Sequence, residues 1–202
     1  MATVSQTDAR HIHQIRLIQA LTIAWMSVEF ALSFVAAWRA HSPALFAFAG
    51  DSIVELLSAV VVWWRFHSHN ENAEQWAARA TGILLFAVAG FVVLGSMLTL
   101  FGYSEAKPSN LGIGVLIAAA VLMPLLAKEK RRLSSKTGSA ALRADASESA
   151  LCGYMSIIAL IGLVPNSVWH ITWTDPVAAL LIVPLVVREG WEAVQGKACN
   201  CC

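Results

Sequence analysis

Six long apolar segments, separated by short polar breaks, constrain this chain more than any other feature it carries. They cover about residues 15–38, 43–66, 77–101, 111–127, 140–164 and 176–194. A helix needs roughly 20 apolar residues to cross a hydrocarbon core about 30 Å thick. No water reaches that depth, so each backbone amide must bond within its own segment, and helices follow. The expected fold is an all-α membrane protein, a six-transmembrane-helix bundle over residues 1–198, with 199–202 as a cytoplasmic Cys tail. The whole chain is 57% hydrophobic and 13% charged, against about 45–50% and about 25% in ordinary globular domains.

The breaks carry turn chemistry. His41, Ser42 and Pro43 separate the first two segments, and residues 67–72 separate the second from the third. Residues 102–110, with Pro108, follow the third. The longest connection is expected at residues 128–136, KEKRRLSSK, and Pro165-Asn166 is expected to end the fifth span. Of the 14 Lys and Arg residues, all but Arg39 and Lys107 fall on the side that also holds both termini. The positive-inside rule therefore puts the termini in the cytoplasm. Trp38, Trp64, Trp76, Trp169, Trp173 and Trp191 lie near segment ends, where indole rings favour the interface. The first apolar segment is too long for a signal h-region and follows a polar start, so no cleaved leader is expected. A net charge of +1 without a basic, aromatic-interleaved patch gives no reason to expect a nucleic-acid partner.

Against this apolar background, three acids stand out. Asp51 and Glu55 lie in the second segment and Glu148 in the fifth, where Cys152 follows it at the same interval of four. Residues four apart differ in heading by about 40° on an ideal helix, so each pair shares one face. A charge at bilayer depth costs roughly 2.5–3.5 kcal/mol on insertion scales. The remaining residues around each pair are apolar, so both faces must look toward protein, water or an ion. Asp145 shares the face of Glu148 and Cys152, and Glu29 adds a further intramembrane carboxylate in the first segment.

The two stretches resemble the second and fifth spans of the cation diffusion facilitator, or cation efflux, family, each of which carries a metal-binding pair spaced by four. The resemblance rests on the lead-ins Ala49-Gly50-Asp51 and Ala144-Asp145-Ala146, on Asp175-Pro176 opening the sixth span, and on the Gly190-Trp191-Glu192 ending. It implies Asp51 and Glu55 as one ligand pair and Glu148 and Cys152 as the other. It also implies a homodimer through spans three and six, efflux from the cytoplasm, and a bacterial inner (plasma) membrane. This chain departs from the family's pattern: neither pair contains His, one ligand position is Cys, and no family-type cytoplasmic domain is expected after the sixth span. It is most similar to a short, divergent bacterial-type member.

Carboxylates with a thiolate suit Zn²⁺ at tetrahedral geometry, and Cd²⁺, Co²⁺ or Fe²⁺ also fit such donors. The divalent cation is then transported substrate, and no prosthetic group is expected. Ligands bind metal only when deprotonated, so protons compete for the site and serve as the expected counter-ion. Glu29 is open between lining the ion path and bonding a neighbouring hydroxyl. Asp145 is open between an entrance ligand and a partner of Arg143. Cys199, Cys201 and Cys202 are open between holding a soft ion and doing nothing. His67 and His69 read as a solvated loop, and Asp175 as a helix N-cap. Gly82, Gly90 and Gly95 in the third segment permit close helix approach.

Two other functions compete. The acids could bond Ser52, Ser147 and Ser149 as packing glue in a non-transporting assembly or metal-binding subunit. An intramembrane metal-dependent enzyme would need an HExxH-like or Ser/His constellation, and none is present in the sequence.

Overall fold

The computed structural model describes residues 2–65, 71–137 and 140–195. All of its elements are helices: α1 (Ala2–Ala40), α2 (Pro43–Arg65), α3 (Glu71–Leu100), α4 (Asn110–Thr137), α5 (Ala140–Trp169) and α6 (Thr174–Val194). His67, His69 and the three tail cysteines lie outside the described residues.

The burial pattern is that of a protein in lipid. Large apolar side chains point outward, among them Leu21, Phe91, Leu94, Val121, Ile161 and Leu181. The interior instead holds Glu29, Asp51, Glu55, Lys130, Asp145 and Asp175, all buried. Among the described residues, four stretches are long and apolar enough to cross a membrane: His13–Ala40, Ile83–Leu100, Asn110–Thr137 and Asp145–Trp169. Helices α2 and α6 contain 23 and 21 residues. At 1.5 Å per residue they reach about 34 and 31 Å, long enough to span, with Asp51, Glu55 and Asp175 turned inward. Helix α2 packs against α1, α3, α5 and α6. It forms the axis of the bundle, which is why its polar face meets so many partners.

Helix ends follow local chemistry. His41, at φ 52°, turns the chain out of α1. Ser42 then caps α2, its Oγ accepting from Leu45 N at 3.1 Å, with Pro43 in the first helical position. Gly102, at φ 80°, ends α3 with bonds from Tyr103 N to Leu98 O and from Gly102 N to Thr99 O. That pair of bonds is the Schellman arrangement, for which glycine is suited because it lacks a Cβ. Ser109 caps α4 through Gly112 N.

Three sequence expectations are corrected. Residues 128–136 are not a loop: α4 continues to Thr137, because Lys, Glu, Arg and Leu all favour helix. Pro165 does not end α5, which runs on to Trp169 before His170 adopts φ 55°; helices at membrane depth accommodate proline through local adjustment. Asp175 does not cap its own helix. It accepts from Ala44 N at 3.1 Å and from Ser42 Oγ, so α6 supplies a cap for α2.

Close approach is used, though not at Gly90 or Gly95 of α3, while Gly82 lies outside the residues whose packing is described. A Cβ on Gly90 would meet nothing within 4 Å, and on Gly95 only the Pro43 ring at 4.0 Å. A Cβ on Gly162 would lie 2.4 Å from Ala178 Cβ and 3.0 Å from Thr174 O. Helices α5 and α6 therefore touch nearly backbone to backbone. Gly162→Ala should force them apart at a cost of about 1–3 kcal/mol, read as a lower apparent Tm of the detergent-solubilised protein. Gly90→Ala should leave Tm unchanged.

Candidate metal centre

The site is a track of polar side chains contributed by five helices. On α1 the residues Gln19, Thr22, Met26, Glu29 and Ser33 are all fully buried. Their alternating spacing of three and four keeps them on one stripe. Helix α2 contributes Asp51, Ser52 and Glu55, and α5 contributes Asp145, Ser149, Cys152 and Ser156, again all buried.

At one end of the track Glu29 is the hub. Trp25 Nε1 donates to its Oε2 at 2.6 Å, and Ser52 Oγ donates to its Oε1 at 2.8 Å. The Cys152 thiol reaches the same Oε1 at 3.5 Å. Cys152 also interacts with Asp51, whose carboxyl meets that of Glu189 on α6. Glu55, one turn further along α2, is in electrostatic reach of Glu29, Asp51 and Cys152. Asp51 Oδ2 and Glu55 Oε2 are buried without a well-formed hydrogen bond among the described residues. A buried carboxylate oxygen left without a partner is costly, and a cation is what such an atom suits.

At the other end lies a cation of the protein itself. Lys130 on α4 is fully buried, with Nζ 3.0 Å from Asp145 Oδ1, 2.7 Å from Ser149 Oγ and 3.8 Å from Glu55 Oε1. Ser149 Oγ in turn bonds Glu55 Oε1, and Gln19 Nε2 donates to Asp145 Oδ2 at 2.6 Å. The partner of Asp145 is thus Lys130, fifteen residues back in the chain, together with Gln19 on α1.

The structure therefore brings Asp51, Cys152 and Glu29 into contact and places Glu55 between that group and the Lys130–Asp145 pair. Glu148 is half-buried on the flank of the α5 face. Ser147 bonds its own helix at Arg143 O, whereas Ser52 and Ser149 do bond acids. Among the described residues no three His, Cys, Asp or Glu are already drawn into an ion-sized cage. The donors form a line rather than a closed shell.

Sequence reasoning missed two charged members. Glu189 sits in the run Val187-Arg188-Glu189-Gly190-Trp191-Glu192, where charge near a helix end reads as interfacial. Lys130 was hidden in a basic run, and its period relative to Met123, Ala127 and Ser134 on the buried face of α4 is the signal that marks it as inward.

A lipid-facing exterior around an internal line of acids defines an integral, multi-pass membrane protein with a polar interior. The transmembrane domain of the cation efflux family matches residues 20–195, and the chain belongs to that family. The manganese efflux system protein MneS of Bacillus subtilis is 25% identical over 183 residues, which cover 85% of this chain and 63% of that protein. The cation-efflux pump FieF of Salmonella arizonae is 26% identical over 204 residues, covering 89% of this chain and 66% of the pump. Transmembrane protein 163 of Xenopus laevis is 24% identical over 185 residues, covering 85% and 65%. The chain spans less than two thirds of the length of these curated relatives.

Proposed function

We propose that this protein exports a divalent metal cation from the cytoplasm, binding it at an intramembrane site built on Asp51, Glu55 and Cys152. Glu148 completes the ligand set when α5 turns its flank inward, and Glu29 lines the path beside it. The observation that carries the proposal is the convergence of buried acids and a thiol from α1, α2, α5 and α6 inside a bundle of the cation efflux family. Cys152 favours Zn²⁺ or Cd²⁺ over harder ions, since thiolate is a soft ligand. The manganese named for the Bacillus relative keeps Mn²⁺ among the ions to be tested.

Proton exchange follows from the same groups. Ligands bind metal only when deprotonated, so a divalent ion taking Asp51, whose carboxyl meets that of Glu189, exchanges with protons at these acids. Outward-facing protons then return to the acids and displace the metal. The positive-inside count supports cytoplasmic termini, and a bacterial inner membrane and a homodimer are carried over from the family.

The test is uptake into inside-out vesicles containing the purified protein. Zn²⁺ uptake should saturate, accelerate with an acidic lumen and fall when a protonophore collapses the gradient. Cys152→Ser should reduce Zn²⁺ and Cd²⁺ uptake about tenfold or more while sparing Mn²⁺, because the hard hydroxyl replaces the soft donor. Vesicles that accumulate no divalent ion above protein-free controls would reject the proposal. The assembly reading draws on the bonds from Ser149 to Glu55 and from Ser52 to Glu29, and requires that same flat result. An enzyme is set aside by membership of a transport family.

A further inference from the structure

We propose that Lys130 is a built-in cation that competes with the transported metal for Glu55, and so keeps the site weak enough to release its cargo. This rests on the metal-transport reading given above. Its basis is geometric. An ammonium group has three protons to donate. Two are committed, to Asp145 Oδ1 at 3.0 Å and Ser149 Oγ at 2.7 Å. The third side faces Glu55 Oε1 at 3.8 Å, within ion-pair range but beyond a hydrogen bond.

Lys130 therefore stands between two carboxylates, fully held by one and loosely by the other. Ser149 bridges the gap, accepting from Lys130 while bonding Glu55. Gln19 holds the far oxygen of Asp145, so the anion that anchors the ammonium cannot swing after it. The link joins α1, α2, α4 and α5 at the end of the bundle where the basic residues of α4 gather. When Glu55 is empty of metal, the ammonium offsets its charge. When a divalent ion arrives, the ammonium is repelled toward Asp145, and Ser149 loses its bridging position.

A purely structural explanation is weaker on energetic grounds. Replacing a buried ion pair with well-packed apolar residues is often neutral or stabilising. Packing alone gives no reason for a fully buried lysine whose ammonium lies between Asp145, Ser149 and Glu55. A competing charge does.

The experiment is calorimetric titration of the purified full-length protein with ZnCl2 and, separately, MnCl2. Lys130→Met should bind metal at least about tenfold more tightly than wild type, because it removes a positive charge beside Glu55 and leaves Asp145 to attract the ion. Lys130→Arg keeps the charge and should stay within about threefold of wild type. In inside-out vesicles Lys130→Met should lower both KM and the maximal rate, as expected for cargo held too tightly. Should Lys130→Met fail to give monodisperse protein, Lys130→Met/Asp145→Asn carries the test, and binding about threefold or more tighter than wild type is the expected result. If the wild type binds metal and the charge-removing variants bind it equally or more weakly, Lys130 is only a structural tie and the inference is overturned, leaving the transport reading intact. If the wild type binds neither ion, the transport reading fails and takes this inference with it.

Discussion

Asp51→Ala should abolish metal uptake into inside-out vesicles, lowering the initial rate at least about 100-fold, beyond the 10–100-fold that outer-shell partners of a metal site are worth. Asp51 is the acid that meets both Cys152 on α5 and Glu189 on α6. It lies on α2, the helix that packs against four others, so its carboxyl sits where side chains from several helices converge. Its Oδ2 is buried without a well-formed hydrogen bond, so truncation removes an unsatisfied atom, to set against the lost contacts with Cys152 and Glu189. Expression and the size-exclusion profile should accordingly match wild type. That combination separates a ligand from packing glue: an assembly residue loses the folded protein first. Asp51→Asn keeps the shape and a neutral oxygen, and should be nearly as inactive, since neutral amides bind divalent zinc poorly beside carboxylate or thiolate. Near-normal uptake by either variant would remove Asp51 from the ligand set.

Asp145→Leu should be the most destabilising single change in the bundle, costing about 3–5 kcal/mol, the usual consequence of stranding one partner of a buried ion pair. The change leaves Lys130 with Ser149 and a carboxylate 3.8 Å away, and leaves Gln19 Nε2 without its acceptor at 2.6 Å. Yield and apparent Tm in detergent should both fall. Adding Lys130→Met to the same chain should restore most of the loss, because the stranded charge is then gone. The two single changes and the double form a double-mutant cycle, and a coupling near zero would show that the pair contributes nothing to the fold. Arg143→Ala serves as the control. Its side chain is exposed, and its removal should move the apparent Tm little.

Much of the architecture was legible because a bilayer simplifies the code. Apolar length alone marked out six helices, and an acid within such a run has to turn inward, so Asp51, Glu55, Glu29 and Asp145 could be assigned to the interior from single segments. Helix boundaries were less legible. Residues 128–136 are polar enough to be a loop and helix-favouring enough not to be, and the interior position of Lys130 decided between the two. Pro165 looks like a stop in any sequence, yet α5 passes through it. Asp175 has the chemistry of a cap, and what it caps depends on the α1–α2 turn lying beside it.

What the order of residues determined alone is local and periodic: which segments are helical, and which side chains share a face of one helix. Asp51 with Glu55, and Asp145 with Cys152, are related by 3.6-residue geometry that needs no partner. Which faces then meet was decided by tertiary packing. Glu189 reached Asp51, Lys130 reached Asp145 rather than Arg143, and Glu29 became the hub for Trp25, Ser52 and Cys152 only because α2 was seated among four neighbours. Contacts between distant segments depend on how helices cross and how closely small residues such as Gly162 let them approach, and no spacing along a single chain encodes that.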